Sequence, residues 1–176
     1  MARKVEVTEY QPDWKAFCQS EVHRLSLVLD QEQVHFHHIG STAVPGLAAK
    51  PIIDLLAEVP DLSWIDRRSP LIESKLGYIA RGENGIAGRR YFFYETGDGT
   101  RLFHLHAYPV NHPEIERHLA FRDYLIAHPN TARSYGTLKK KLADKHPDDI
   151  DSYISGKDEF VKEAERAALK WKKGCP

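Results

Sequence analysis

Along the chain, short apolar runs give way to longer stretches with helical spacing, and each change of period marks an element. Residues 13–30 place Trp14, Phe17, Cys18, Leu25 and Val28 on one face of a predicted amphipathic helix. VHFHHI at 34–39 reads as a strand. PIIDLLAEV at 51–59 reads as a buried strand, with Pro51 acceptable as its first residue. Between these strands lies GSTAVPGLAAK, a turn-rich loop with two glycines and a proline. A helical stretch covers about 61–76, with a break expected at Pro70. Short strands follow near 78–80, 90–95 and 101–108, the last two joined by a Thr96-Gly97-Asp98-Gly99 turn. RGENGIAGRR at 81–90 reads as a flexible, basic, glycine-rich loop, its Arg89-Arg90 pair either closing over a phosphate ligand or, as the favoured reading, solvated. From 113 onward no strand pattern remains, and helices fit about 113–127, 130–145 and 148–171. Pro113, Pro129 and Pro147 stand near their starts, where a missing N–H costs nothing. The pattern predicts an α+β fold with a helical C-terminal third.

Some polar residues interrupt the apolar faces. In 113–127 the face is Ile115, Leu119, Leu125 and Ile126, with Arg122 at its centre and His118 one turn before. In the last helix, Ile150, Ile154, Phe160, Val161, Ala164 and Ala168 surround Lys157, with Tyr153 one turn earlier. In the first helix Glu21 falls among the apolar positions. A buried charge needs a partner or a wet cleft. Two arrangements meet that need: an internal network of Glu21 with Arg122 or Lys157, or a cleft presenting Arg122 and Lys157 to an anion such as phosphate. A long side chain snorkelling to the surface is a variant of the first.

Composition narrows the function classes. Lys and Arg number 25, as do Asp and Glu, so the formal charge is zero, which argues against a nucleic-acid-coating or membrane-surface partner. No run approaches the length of a membrane-spanning helix, and MARKVEVTEY lacks the apolar core of a signal peptide. Two cysteines, Cys18 and Cys175, form no CxxC pair, and the expected compartment is the reducing cytoplasm. The oligomeric state is not readable.

HFHHIGSTAVPGLAAKPIIDLL holds the candidate chemistry. Gly40 lets backbone approach a phosphate closely, while Ser41 and Thr42 offer hydroxyls and N–H groups to an anion. Lys50 enters the second strand, and Asp54 is a carboxylate inside an otherwise apolar run. This segment, with HLAFRDYLIAHP at 118–129, YGTLKKKLA at 135–143, and Tyr153 with Lys157, resembles the GrpB family from Trp14 to about Ala164. The resemblance implies a single domain over 1–176. Within it, a mixed-sheet nucleotidyltransferase-like core covers about 1–110, and helices packed on it cover about 111–173. In that fold superfamily a Gly-Ser turn and strand carboxylates hold divalent metal for nucleotidyl transfer; the family's own reaction does not follow from it.

The chain departs from that pattern. Polymerase-like members carry Asp-x-Asp here, whereas Leu56 fills the second position. Glu58 shares the strand face of Asp54 but lies about 13 Å away, too far to share an ion. Histidines are the alternative ligands. In LFHLHAYPV, His104 and His106 alternate onto one face, roughly 7 Å apart along the strand. They are candidate metal ligands with Asp54, acid–base groups, or simply two histidines satisfied by hydrogen bonds in a half-buried sheet. Imidazoles favour Zn²⁺, Ni²⁺, Mn²⁺ or Fe²⁺, whereas a lone carboxylate with substrate phosphates suits Mg²⁺ or Mn²⁺. His38, directly before the Gly-Ser turn, is the better site candidate of its cluster, with His35 and His37 as surface or core filler. Gly156-Lys157 is not a P-loop, and no GxSxG, HExxH or GxGxxG occurs.

Three readings compete. The first is a metal-dependent transferase moving a nucleotidyl or phosphoryl group from a nucleoside triphosphate to a small acceptor. In it His38, Gly40, Ser41, Thr42, Lys50, Arg122, Tyr153 and Lys157 bind phosphate, Asp54, His104 and His106 hold metal, and His106 or Glu21 acts as base. The second is a non-catalytic module binding a nucleotide or anionic metabolite, which Leu56 favours. The third is metal-assisted hydrolysis.

Overall fold

The computed structural model describes residues 4–174, so Cys175 lies outside the described part. The chain forms two compact units, each described by itself. One comprises Asp13–Ile39 and Ile52–Ile115; the other comprises residues up to Pro12, Gly40–Pro51 and everything from Glu116 on.

The first unit holds α1 (Trp14–Leu25), β1 (His35–Ile39), β2 (Ile53–Val59), α2 (Leu62–Leu76), β3 (Ile79–Ala80), β4 (Arg90–Glu95) and β5 (Arg101–Pro109). The five strands form one mixed sheet in the order β1-β2-β5-β4-β3, with only the β2–β5 pair parallel. Register settles which residues share a face. Leu55, Ala57, Leu105, Ala107 and Phe92 line the apolar face and are buried. Tyr94 has the same parity as Phe92, and the Arg24 guanidinium of α1 lies 4.9 Å from its ring, so α1 covers this face. Asp54, Glu58, His104, His106, Tyr91 and Phe93 share the other face.

α1 ends at Leu25, short of the expected 30, where the Ser26 hydroxyl turns back to the Val22 carbonyl. Its buried stripe is Trp14, Cys18, Glu21 and Leu25; Phe17, expected on that face, is exposed. α2 starts at an Asp61 cap, whose carboxylate accepts the Trp64 N–H at 2.7 Å, and stops at Gly77 in the left-handed conformation. Pro70 does not break it, contrary to expectation. A mid-helix proline costs about 3 kcal/mol. Trp64, Ile65, Ile72 and Leu76 are buried on both sides of it, each contributing about 1.5–3 kcal/mol, so packing wins.

The 81–90 loop is ordered by its own hydrogen bonds. Arg89 is only 6% exposed, not solvated as expected. It donates from Nε to the Glu83 carbonyl at 3.1 Å and from Nη2 to the Asn84 carbonyl at 2.7 Å. Arg90 forms a two-point pair with Asp66.

The second unit holds a 3-10 turn at Ser41–Ala43, most of α3 (Pro113–Ala127), α4 (Pro129–Lys145) and α5 (Ile150–Gly174). Val44, Leu47, Leu125, Ala132 and Tyr135 form one buried cluster, with Phe121, Tyr124, Phe160 and Val161 packed on it. Val5, Ala143 and Tyr153 form another. Gly136 packs against Leu47 and Ala48, which brings the 40–51 segment close to α4. Two apolar positions depart from the expected faces: Ile126 and Ile154 are each about half exposed. The buried positions of α3 are Ile115, Ala120 and Leu125, leaving Arg122 at the half-buried margin. Lys157 does lie on the buried line of α5, between Tyr153 and Ala164.

Candidate functional site

The parallel pairing of β2 with β5 sets Asp54 beside His104 and Leu56 beside His106. One oxygen, Asp54 Oδ1, meets both rings: His104 Nδ1 at 3.0 Å and His106 Nε2 at 3.3 Å. The side chains are 28%, 18% and 12% exposed for Asp54, His104 and His106. Burial by itself would raise the Asp54 carboxyl, but hydrogen bonds and charge from His104 and His106 outweigh it and hold the group below the usual carboxylate range. Burial lowers His106, with Asp54 working against that shift. Tyr91 closes one side, its ring 5.6 Å from His104 and 5.3 Å from His106.

One ligand atom from each of Asp54, His104 and His106 lies within 4.8 Å of the others. Two imidazoles and a carboxylate are the donor set of a transition-metal site. The fit is uneven. His104 Nε2 is buried with no hydrogen-bond partner, an unmet demand that a ligand would answer. His106 Nδ1 instead faces Arg89 Nη1 at 3.4 Å. Arginine only donates, so Nδ1 accepts and the ring proton sits on Nε2, donating to Asp54. A metal-bound histidine normally gives its second N–H to an acceptor, which Arg89 is not. His104, which gives its Nδ1–H to Asp54 and keeps Nε2 open, thus fits an ion better than His106 does.

His38 needs correction. It pairs with Leu55, so register puts it on the sheet face opposite Asp54, away from the triad. His37, of the other parity, meets Glu58 at 2.6 Å. Glu21 needs correction too. Its carboxylate receives Arg24 Nε at 3.0 Å, Arg24 Nη2 at 2.9 Å and the Tyr78 hydroxyl at 2.7 Å. These are its partners, in place of the expected Arg122 or Lys157. Held this way, it is not a poised base.

In the other unit, Gly40 has φ 72° and ψ −171°, a conformation essentially reserved for glycine. Ser41 opens the 3-10 turn, and Thr42 is 2% exposed. Arg122 donates Nε to Asp123 Oδ1 at 2.8 Å. The Lys50 and Lys157 ammoniums each lie 5.4 Å from the ring of buried Tyr153. Burial pushes the Tyr153 hydroxyl up to about 12, with Lys157 opposing.

The residue that sequence reasoning missed is Lys139. It is 2% exposed, its Nζ has no hydrogen-bond partner, and it sits 4.4 Å from the Tyr135 ring centre. Burial, then the charges of Lys157 and Lys50, push its pKa down to about 6. The signal was present: Ala132, Tyr135, Gly136 and Ala143 define a buried stripe on α4, and of the three consecutive lysines in YGTLKKKLA only Lys139 falls on it.

The sequence profile described as GrpB protein matches residues 4–167. YqkA of Bacillus subtilis is 51% identical over 98% of this chain, which spans about half (49%) of the length of that relative. A crystal structure of the conserved protein GrpB from Enterococcus faecalis superposes with a TM-score of 0.85 at 45% identity, covering 95% of this chain and 99% of that one. The poly(U) polymerase Cid1 aligns with 75% of this chain and 45% of its own at a TM-score of 0.46 and 10% identity, a likeness too slight to argue from.

Proposed function

The chain belongs to the GrpB family, and we propose that Asp54, His104 and His106 centre a metal-dependent transfer of a nucleotidyl or phosphoryl group from a nucleoside triphosphate to a small acceptor. The observation that carries this reading is three donor atoms within 4.8 Å, beside a ring nitrogen buried without a hydrogen-bond partner. Asp54 and His104, with His106 once its Nε2 gives up its proton, would hold one divalent ion: Mn²⁺, Zn²⁺ or Ni²⁺ by donor type, or Mg²⁺ where substrate phosphates complete its shell. When bound, the ion neutralises charge on phosphate oxygens. In the other unit, taken by itself, Gly40, Ser41 and Thr42 would give backbone and hydroxyl donors to a phosphate, and Lys50, Arg122, Tyr153 and Lys157 would offset its charge. Since Glu21 is tied to Arg24 and Tyr78, the base for the acceptor hydroxyl would be His106 when it does not ligate the ion. The nucleotidyltransferase-like kinship of the sheet and the single-domain organisation belong to this proposal, as does a cytoplasmic setting. Among the described residues no helix is long and apolar enough to cross a membrane.

A second reading has its own observation. Leu56, standing where a second carboxylate would be, is fully buried, which favours a module that binds a nucleotide without turning it over. Ion stoichiometry and pyrophosphate or phosphate release, measured with nucleoside triphosphates and Mg²⁺, Mn²⁺ or Zn²⁺, separate the two. Release that Asp54→Ala abolishes supports transfer when product forms on the acceptor, and hydrolysis when it forms only with water. Nucleotide binding without release supports the module. A wild-type protein that holds no ion and turns over no triphosphate overturns the transferase.

A further inference from the structure

Resting on the phosphate-binding part of that reading but not on its metal centre, we propose that Lys139, with Lys157 and Lys50, forms a binding site for an oligophosphate, the di- or triphosphate chain of a ligand. Lys139 lies at the centre of the buried stripe of α4, 2% exposed, and its ammonium has no hydrogen-bond partner. Such a group is costly unless something else engages it. The Tyr135 ring 4.4 Å away answers only part of that demand, because a π face replaces little of the hydration a lysine head loses.

Its surroundings define the missing partner. Tyr135 faces Lys139 from its own helix, while Lys157 of α5 and Lys50 of the 40–51 segment act on it as like charges. Both of these ammoniums also flank the Tyr153 ring. Among the described residues no carboxylate is paired with Lys139 or Lys157, although α4 and α5 use carboxylates elsewhere, as in Lys140–Glu9 and Lys162–Asp158. Three amines and two phenols, with no acid paired to Lys139 or Lys157 among the described residues, complement a ligand that brings several negative charges of its own. Ammoniums act as point charges, which suits phosphate oxygens without demanding the planar geometry of a carboxylate fork. An oligophosphate supplies enough charge for three lysines.

The site also implies a proton. At pH 7.5 Lys139, pushed down to about 6, is mostly neutral in the free protein. An anion beside it restores the charged form, so binding takes up a proton.

The test uses inorganic triphosphate with EDTA, so that no metal contributes. Titration calorimetry in buffers of different ionisation enthalpy at pH 7.5 is expected to show binding with uptake of up to one proton. In Lys139→Met, proton uptake disappears and affinity falls by at least about tenfold. The same variant melts higher than wild type without ligand, because an apolar chain replaces a buried, unpartnered amine. Should Lys139→Met fail to fold, Lys157→Met, a half-buried position, carries the test through its own loss of affinity. Unchanged affinity in the lysine variants, or wild-type binding without proton uptake, overturns the site. Asp54→Ala is expected to retain metal-free triphosphate binding, so a failure of the metal centre and a failure of this site read differently.

Discussion

Glu21 and Lys139 pose the same problem and solve it differently. Each is an ionisable group at the middle of an otherwise apolar helix stripe, and each is nearly inaccessible, at 5% and 2%. Around Glu21 the chain supplies everything the carboxylate asks for: two guanidinium nitrogens of Arg24 and the Tyr78 hydroxyl. Arg24 passes its remaining reach to the Leu76 carbonyl at 2.9 Å, fixing the end of α2 as well. Around Lys139 the neighbours are aromatic faces and like charges. A closed network of buried charge organises the fold, whereas an open one stores a demand for something outside the chain. The position of a charge on a helix face therefore flags interest, and its partners decide the kind.

The largest effect that would break this contrast belongs to Glu21. Glu21→Ala leaves the Arg24 guanidinium and the Tyr78 hydroxyl without their shared acceptor. The expected cost is about 3 kcal/mol of unfolding free energy in urea titrations, with triphosphate affinity unchanged in the folded protein. A loss below about 1 kcal/mol would mean that the network is ornamental and that the closed-versus-open distinction fails.

Next is the pH dependence of stability at Lys139. Its folded pKa, about 6, lies below the unfolded value near 10.4. Between these values the unfolded chain binds more protons, so this residue makes stability rise with pH from about 6 toward about 10. Wild type minus Lys139→Met, followed by melts at several pH values, should isolate that slope. A flat difference would mean that Lys139 is charged in the folded protein.

The same contrast shows what was legible in the sequence. Helical spacing picked out Glu21 and Lys157 correctly as charges on buried lines. It misread Arg122, because Ile126 is exposed and the buried line of α3 runs through Ala120 instead. Lys139 met the same criterion but was hidden in a run of three lysines that looked like a solvated face. Period 2 put His104 and His106 on one face, but that Asp54 belongs beside them depends on β2 and β5 being parallel neighbours about 50 residues apart, which local pattern does not encode. Arg89 was unreadable for a related reason. Its burial depends on a loop whose Gly82, Asn84, Gly85 and Gly88 all take positive φ and turn carbonyls toward it.

Asp54 falls between the two regimes, satisfied by histidines yet partly exposed. Asp54→Ala is expected to abolish binding of Mn²⁺ or Zn²⁺ and to cost about 1–2 kcal/mol at pH 7, the worth of two hydrogen bonds on a group of intermediate exposure. The folded carboxyl titrates below its unfolded value of about 3.9, so its contribution is fully present above that pH and fades as the pH falls further. A cost above about 3 kcal/mol would move Asp54 into the closed class with Glu21.

The smallest effect sharpens the comparison most. Arg89 donates to His106 Nδ1, a hydrogen bond that favours the Nε2–H tautomer and so keeps that nitrogen from an ion. Arg89→Met removes the donor and frees Nδ1 to carry the proton, leaving Nε2 available beside Asp54 and His104. Zn²⁺ affinity should rise by about three- to tenfold, an energy of about 1 kcal/mol, measured by competition with a chromogenic chelator. The loop bonds from Arg89 to the Glu83 and Asn84 carbonyls are lost as well, so a modest drop in melting temperature is expected alongside. The two readouts move in opposite directions, which a loosened loop alone would not produce. If Zn²⁺ affinity falls with the melting temperature, Arg89 supports the cluster rather than restraining it, and the triad is closer to the Glu21 network than to an open site.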